Sequence, residues 1–126
     1  PLIHWIAAPI ALSIVNVILM NEFPDYEADR RTGKRNLLFR VGKPRGRGIF
    51  IALTLLSWVG FALSLHAGVP RSALYVYGPV VLAGLVVIGM LLARRDLNRT
   101  ELEAMCALTI AINLGTTAAY LWAFWK

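Results

Sequence analysis

Asp25 and Asp29 stand four residues apart, directly after a long apolar run that ends near Met20. Carboxylates at i and i+4 share a helix face. A pair of hard oxygen donors at a membrane boundary suits a divalent cation such as Mg²⁺, which keeps several waters and bridges to phosphate oxygens. On one continuous helix at about 100° per residue, Asn21, Glu22 and Asp29 fall about −40°, +60° and +40° from Asp25, so the four side chains share one arc. Glu27 falls about 200° away, where Arg31 offers it an i+4 partner in the favourable acid-before-base order. Pro24 interrupts the backbone ladder, which leaves the arc open to division between the end of one helix and the first turn of another. Beyond Gly33, where the backbone can turn, Lys34 and Arg35 can return towards a phosphate group, and Arg suits bidentate phosphate contact. The plainer alternative is a solvated juxtamembrane loop whose acids and bases pair with each other. Residues 21–35 concentrate four of the seven acidic and four of the thirteen basic residues, so charge here needs compensation in either case.

The elements that must hold this cluster are apolar. Of 126 residues, 58% are hydrophobic, and the charges are clustered while long stretches carry none, which places the chain among polytopic membrane proteins. Four spans are predicted, at about 2–20, 48–65, 74–93 and 104–125. Pro9 is a candidate kink in the first, and Ser13 and Asn16 are its internal polar groups, expected to face neighbouring helices. His4, near its start, suits an interface or packing role better than metal ligation. Between the first two spans, residues 21–47 are long enough to hold structure of their own. Leu37, Leu38, Phe39 and Val41 form an apolar cluster that suits an interfacial cap, and residues 42–46 read as a turn. Tyr75 and Tyr77 begin the third span, and Trp122 and Trp125 end the fourth, as aromatic belts. Thr100 with Glu103 resembles a capping box for the fourth helix. Asn113, Thr116 and Thr117 beside Gly115 suit close helix packing with interhelical hydrogen bonds. Cys106 is a lone packing residue, with no partner for an intrachain disulfide and no sign of redox chemistry.

The net charge of +6 does not point to nucleic acid, because the basic residues flank the spans and aromatic residues are not interleaved with them as in a single-strand binder. Loop 21–47 carries eight Lys and Arg; with Arg94, Arg95 and Arg99 the same side holds eleven of thirteen, against Arg71 and Lys126 on the other. The positive-inside rule then places loop 21–47 in the cytoplasm and both chain ends at the opposite face. The chain starts at Pro1, with no signal-peptide pattern, as expected of a piece of a longer protein.

Residues 21–42, NEFPDYEADRRTGKRNLLFRVG, resemble the second aspartate-rich motif of the UbiA superfamily of intramembrane aromatic prenyltransferases. The shared features are the preceding apolar helix, Asp25-x-x-x-Asp29, Gly33-Lys34-Arg35 and the closing Phe39-Arg40-Val41-Gly42, with three spans following. Within the superfamily the stretch looks closest to 1,4-dihydroxy-2-naphthoate polyprenyltransferases of menaquinone synthesis. The resemblance implies an all-α transmembrane bundle of about nine spans, of which this chain is the C-terminal part, in a multi-pass enzyme expected in the plasma membrane. It implies a Mg²⁺-dependent transfer of a polyprenyl group from its diphosphate to an aromatic acceptor in quinone-lipid synthesis. Asp25 and Asp29 would ligate the metal with Asn21 and Glu22 in support, and Arg31, Lys34 and Arg35 would contact the diphosphate. The superfamily's first acidic motif is absent, since Asp96 is the only Asp outside 21–29. The chain is therefore expected to carry half an active site, to be inactive alone and to need an N-terminal half as partner. The competing class is a non-enzymatic transporter or assembly subunit with a charged cytoplasmic loop. Against it, no ionisable residue lies near the middle of a span, where an ion pathway would require one. The Asp, Gly and Ala-Arg signature of CDP-alcohol phosphotransferases is missing, and the four spans exclude a soluble DDxxD prenyl-chain synthase.

Overall fold

The computed structural model describes residues 1–93 and 97–125. Arg94, Arg95 and Asp96 of the loop before the last span, and Lys126, lie outside the described residues. The described residues form six helices and no strand. Four are long enough and apolar enough to span a bilayer: α1 (Leu2–Glu22), α4 (Lys43–Ala67), α5 (Ala73–Ala93) and α6 (Arg99–Phe124). Their best windows have mean hydropathies of 1.5 to 2.3. Two short helices, α2 (Tyr26–Thr32) and α3 (Leu37–Val41), lie between the first two spans. The chain is thus an integral membrane helical bundle.

Helix α1 packs against both α4 and α6, and α5 packs against α6. The fourth side is closed by aromatic contact, with Phe61 of α4 stacked on Tyr77 of α5 at 3.6 Å between ring centroids. The buried positions of α5 are Ala73, Tyr77, Val80, Gly84, Val87 and Leu91, alternating steps of four and three. Phe50, Thr54, Ser57, Phe61 and Ser64 do the same in α4. That 3.5-residue period is the seam of left-handed helix packing. Small and polar side chains share the seam with Phe50, Phe61, Tyr77, Val87 and Leu91, while Ile14, Val15, Ile18, Leu55, Leu56, Val59, Leu82 and Leu85 point outward. Lipid tails are as apolar as leucine, so the drive to bury these large residues between helices is missing, and close approach with hydrogen bonding takes its place.

The hydrogen bonds run where the polar residues of α1 foretold. Asn16 donates from Nδ2 to the Phe50 carbonyl at 3.2 Å and to Thr54 Oγ1 at 2.9 Å. Its Oδ1 is buried without a protein partner, beside a cavity of about 10 Å³ also lined by Ser13, Thr54, Ser57 and Thr109, room enough for a water. Asn113 Nδ2 donates to Ser13 Oγ at 2.8 Å, joining α6 to α1 as expected. Thr116 and Thr117 instead bond back to carbonyls of their own helix, those of Ile112 and Asn113. Helix α1 runs unbroken through Pro9, whose carbonyl accepts from Ser57 Oγ of α4.

Several expectations are corrected. Tyr75 is exposed as an interface residue should be, but Tyr77 is buried against Phe61 because it falls on the seam between Ala73 and Val80. The cap of α6 is Asn98, whose Oδ1 accepts from the Glu101 N–H at 2.8 Å. Thr100 is therefore inside the helix, and Glu103 pairs with Arg99 at 3.0 Å. Helix α6 thus starts at Arg99, two residues before the start that a Thr100 cap would give. Residues 43–46 are not a turn, since α4 begins at Lys43 with Pro44 in its first turn, where a missing N–H costs nothing. The turn is confined to Gly42, at φ 83°.

Gly46 gives α3 its seat. Leu38 of α3 is fully buried, and its Cδ1 occupies the space that a Cβ at position 46 would need. Gly46→Ala is expected to cost about 1 kcal/mol through overpacking, since the tip of the fully buried Leu38 side chain must shift to admit the new methyl group. Asn16→Leu removes two interhelical hydrogen bonds and should cost about 1 kcal/mol, whereas Ile18→Ala on the outer face should change stability by less than about 0.5 kcal/mol. Unfolding midpoints in mixed detergent check all three.

Candidate functional site

The site begins where α1 has to stop. Pro24 has no N–H, and its ring would press on the carbonyl four residues back, that of Met20. That carbonyl is served instead by the Phe23 N–H at 3.1 Å and by the Cys106 thiol of α6, with Sγ to O at 3.6 Å. Cys106, expected only to pack, thus also joins α6 to the frayed end of α1. Phe23 is buried, which pins the break against the bundle. The chain re-enters helix at Tyr26, with Asp25 at the N-cap position and the Asp29 N–H donating to the Asp25 carbonyl at 2.8 Å. The division at Pro24 is the one the sequence left open. Asp25 and Asp29 stay one turn apart, at the cap and in the body of α2, while Asn21 and Glu22 belong to α1 and leave the single arc.

Helix α2 ends in a Schellman turn. Gly33, at φ 75°, donates to the Arg30 carbonyl at 3.4 Å, and the Lys34 N–H donates to the Asp29 carbonyl at 2.9 Å. An L side chain is costly in this left-handed conformation, which is why Gly stands here. The reversal expected after Gly33 therefore occurs, but the side chain that returns to the acids is Asn36. Its Nδ2 donates to Asp29 Oδ2 at 2.8 Å, and its Oδ1 accepts from the Phe39 N–H at 2.9 Å as the N-cap of α3. Glu22 is also engaged: its Oε2 accepts from the Leu38 N–H at 2.8 Å. Both carboxylates are thus bonded at the start of α3. Lys43 lies over the Tyr26 ring, 4.9 Å from its centroid, a cation–π contact that ties α2 to α4.

Asp25 and Asn21 are exposed, and Asp29 and Glu22 are half-buried. Neither Asp25 nor Asp29 takes part in an ion pair among the described residues, and Glu27 and Arg31 do not pair with each other. Among the described residues, no salt bridge joins the acids of 21–35 to the bases of the same stretch. Arg31, Lys34 and Arg35 are exposed around the turn that follows Asp29. No three of the described His, Cys, Asp and Glu side chains converge as a metal cage. Two hard carboxylates without a third partner fit a cation that keeps most of its waters or shares phosphate oxygens, the usual state of Mg²⁺, and do not fit a fully protein-bound ion.

Asn36 escaped the sequence reading, although a signal for it was present. Asn immediately before Leu37-Leu38-Phe39 is an N-cap pattern, but nothing in it shows that the other end of the same amide meets Asp29.

No curated protein and no solved structure matches the chain significantly. A family model does, over residues 1–114, which takes in the first five helices, the acidic segment and more than half of α6. The match is to the UbiA prenyltransferase family, and with most of its length covered the chain belongs to that family.

Proposed function

We propose that this chain supplies one wall of a membrane prenyltransferase site that moves a polyprenyl group from its diphosphate to an aromatic acceptor. The observation that carries the reading is the pair Asp25 and Asp29, one turn apart at α2 and outside any ion pair among the described residues, in a member of this family. In this reading Asp25 and Asp29 hold Mg²⁺, with exposed Asn21 beside them. Glu22, already bound to the Leu38 N–H, supports the site by anchoring α3. Arg31, Lys34 and Arg35 contact the diphosphate oxygens, as their exposure around the Gly33 turn allows.

When bound, Mg²⁺ supplies Lewis-acid stabilisation of the diphosphate charge. The basic side chains add fixed positive charge at the same oxygens, where negative charge grows as the allylic C–O bond breaks and its electron pair leaves with pyrophosphate. A ring carbon of the acceptor then bonds to the allylic carbon and gives up its proton. The resemblance of residues 21–42 favours a dihydroxynaphthoate-type acceptor of menaquinone synthesis. The bias of Lys and Arg supports a loop at the cytoplasmic face, in the plasma membrane on this reading. A second acidic wall, on a segment outside this sequence, completes the site.

The reading is tested on the intact enzyme in lipid nanodiscs with a polyprenyl diphosphate and 1,4-dihydroxy-2-naphthoate or 4-hydroxybenzoate. Transfer should stop on chelation and return with Mg²⁺. Asp25→Ala and Asp29→Ala should each lower it by ~10²-fold or more, with the unfolding midpoint of the four-span bundle kept because both side chains belong to the short helix α2 and its cap, outside the spans. Parental turnover in both variants would remove Asp25 and Asp29 from the metal site.

A further inference from the structure

We infer that Asn36 is a positioning residue for Asp29, holding one carboxylate oxygen so that the other is presented to the cation; this rests on the metal reading above. The Asn36 amide lies between two partners of opposite character. Nδ2 meets the acceptor Asp29 Oδ2 at 2.8 Å, and Oδ1 meets the donor Phe39 N–H at 2.9 Å. Turning the amide over would set oxygen against carboxylate and NH₂ against N–H, so one orientation is enforced.

The backbone that carries Asn36 is also held. Leu38, two residues on, is fully buried over Gly46, and its N–H is bound by Glu22. The bond to Asp29 therefore reaches back through α3 to α1 and α4. On the other side, Asp29 is carried by the Schellman turn that its own carbonyl closes with Lys34. A charge-assisted bond of this kind fixes the carboxylate plane. Among the described residues it leaves Asp29 Oδ1 without a protein hydrogen bond, since only Oδ2 is engaged. Asn36 itself touches no reacting group in this arrangement. Groups that orient ligating carboxylates typically change metal affinity by about 10–100-fold when removed.

Serine and threonine separate the two roles of Asn36, since both cap a helix and neither reaches Asp29 as the longer amide does. In the intact enzyme, Mn²⁺ binding in the presence of inorganic pyrophosphate is read by the EPR signal of free Mn²⁺, alongside the Mg²⁺ dependence of transfer. Asn36→Ser and Asn36→Thr should raise the half-saturating Mn²⁺ and Mg²⁺ concentrations by about 10-fold or more. The rate at saturating metal and the unfolding midpoint should stay near parental. Asn36→Ala should weaken the metal equally and also lower the midpoint. Parental Mn²⁺ affinity in the Ser and Thr variants overturns the proposal. So does a loss that tracks the unfolding midpoint across Ser, Thr and Ala, because Asn36 is then only a helix cap. Asp29→Ala separates the two levels. If it weakens Mn²⁺ binding while the Asn36 variants do not, the metal reading stands and this proposal alone falls; if it binds as the parent does, both fall.

Discussion

A proline cannot donate to the carbonyl four residues before it, and at Pro24 that single missing bond shapes the whole acidic segment. Had α1 continued, Asn21, Glu22, Asp25 and Asp29 would have crowded onto one arc, four polar side chains competing for one ligand. The break instead sends Glu22 to the start of α3 and leaves Asp25 and Asp29 on a separate short helix and its cap. The carbonyl released at Met20 is taken up by Phe23 and Cys106, so the break is anchored to α6 as well as to α1.

Beyond the break, the chain forms a strap wound between the ends of α1 and α4. A seven-residue helix such as α2 is too short to persist alone in water. Its persistence here comes from its ends: the Gly33 turn, the Asn36 bond and the Lys43 contact on Tyr26. Helix α3, shorter still, is held by one buried leucine and two N-terminal hydrogen bonds. Each contact is modest, but together they hold α2 and its acids through α1, α3 and α4 as well as through its own turns.

The bundle beneath provides the rigid support. Its interior sets hydroxyls and the Asn16 amide among apolar side chains such as Leu19, Phe50 and Leu91, and many of its leucines and isoleucines face outward. Closely approaching backbones joined by Asn16, Ser57 and Asn113 set the ends of α1 and α4 in place. That placement fixes the gap that the strap must bridge.

The four spans were legible because a span declares itself by the length and continuity of apolar residues, and bilayer thickness leaves little choice. The acidic pair was legible for a similar local reason, since i and i+4 share a face on any helix. The partners of Ser13, Asn16 and Asn113 could be expected as a class, because polar groups in hydrocarbon must find one another. Three matters were decided only by tertiary structure. Tyr77 left the aromatic belt for the seam, because an all-apolar helix gives no sequence sign of which face is inward. Asn98 displaced Thr100 as the cap of α6, because several neighbouring residues were chemically able to cap. Asn36 came to Asp29, and Glu22 to Leu38, across turns whose φ angles place the ends of short helices, and hydrogen bonds formed across such a reversal have no periodicity for a linear reading to detect.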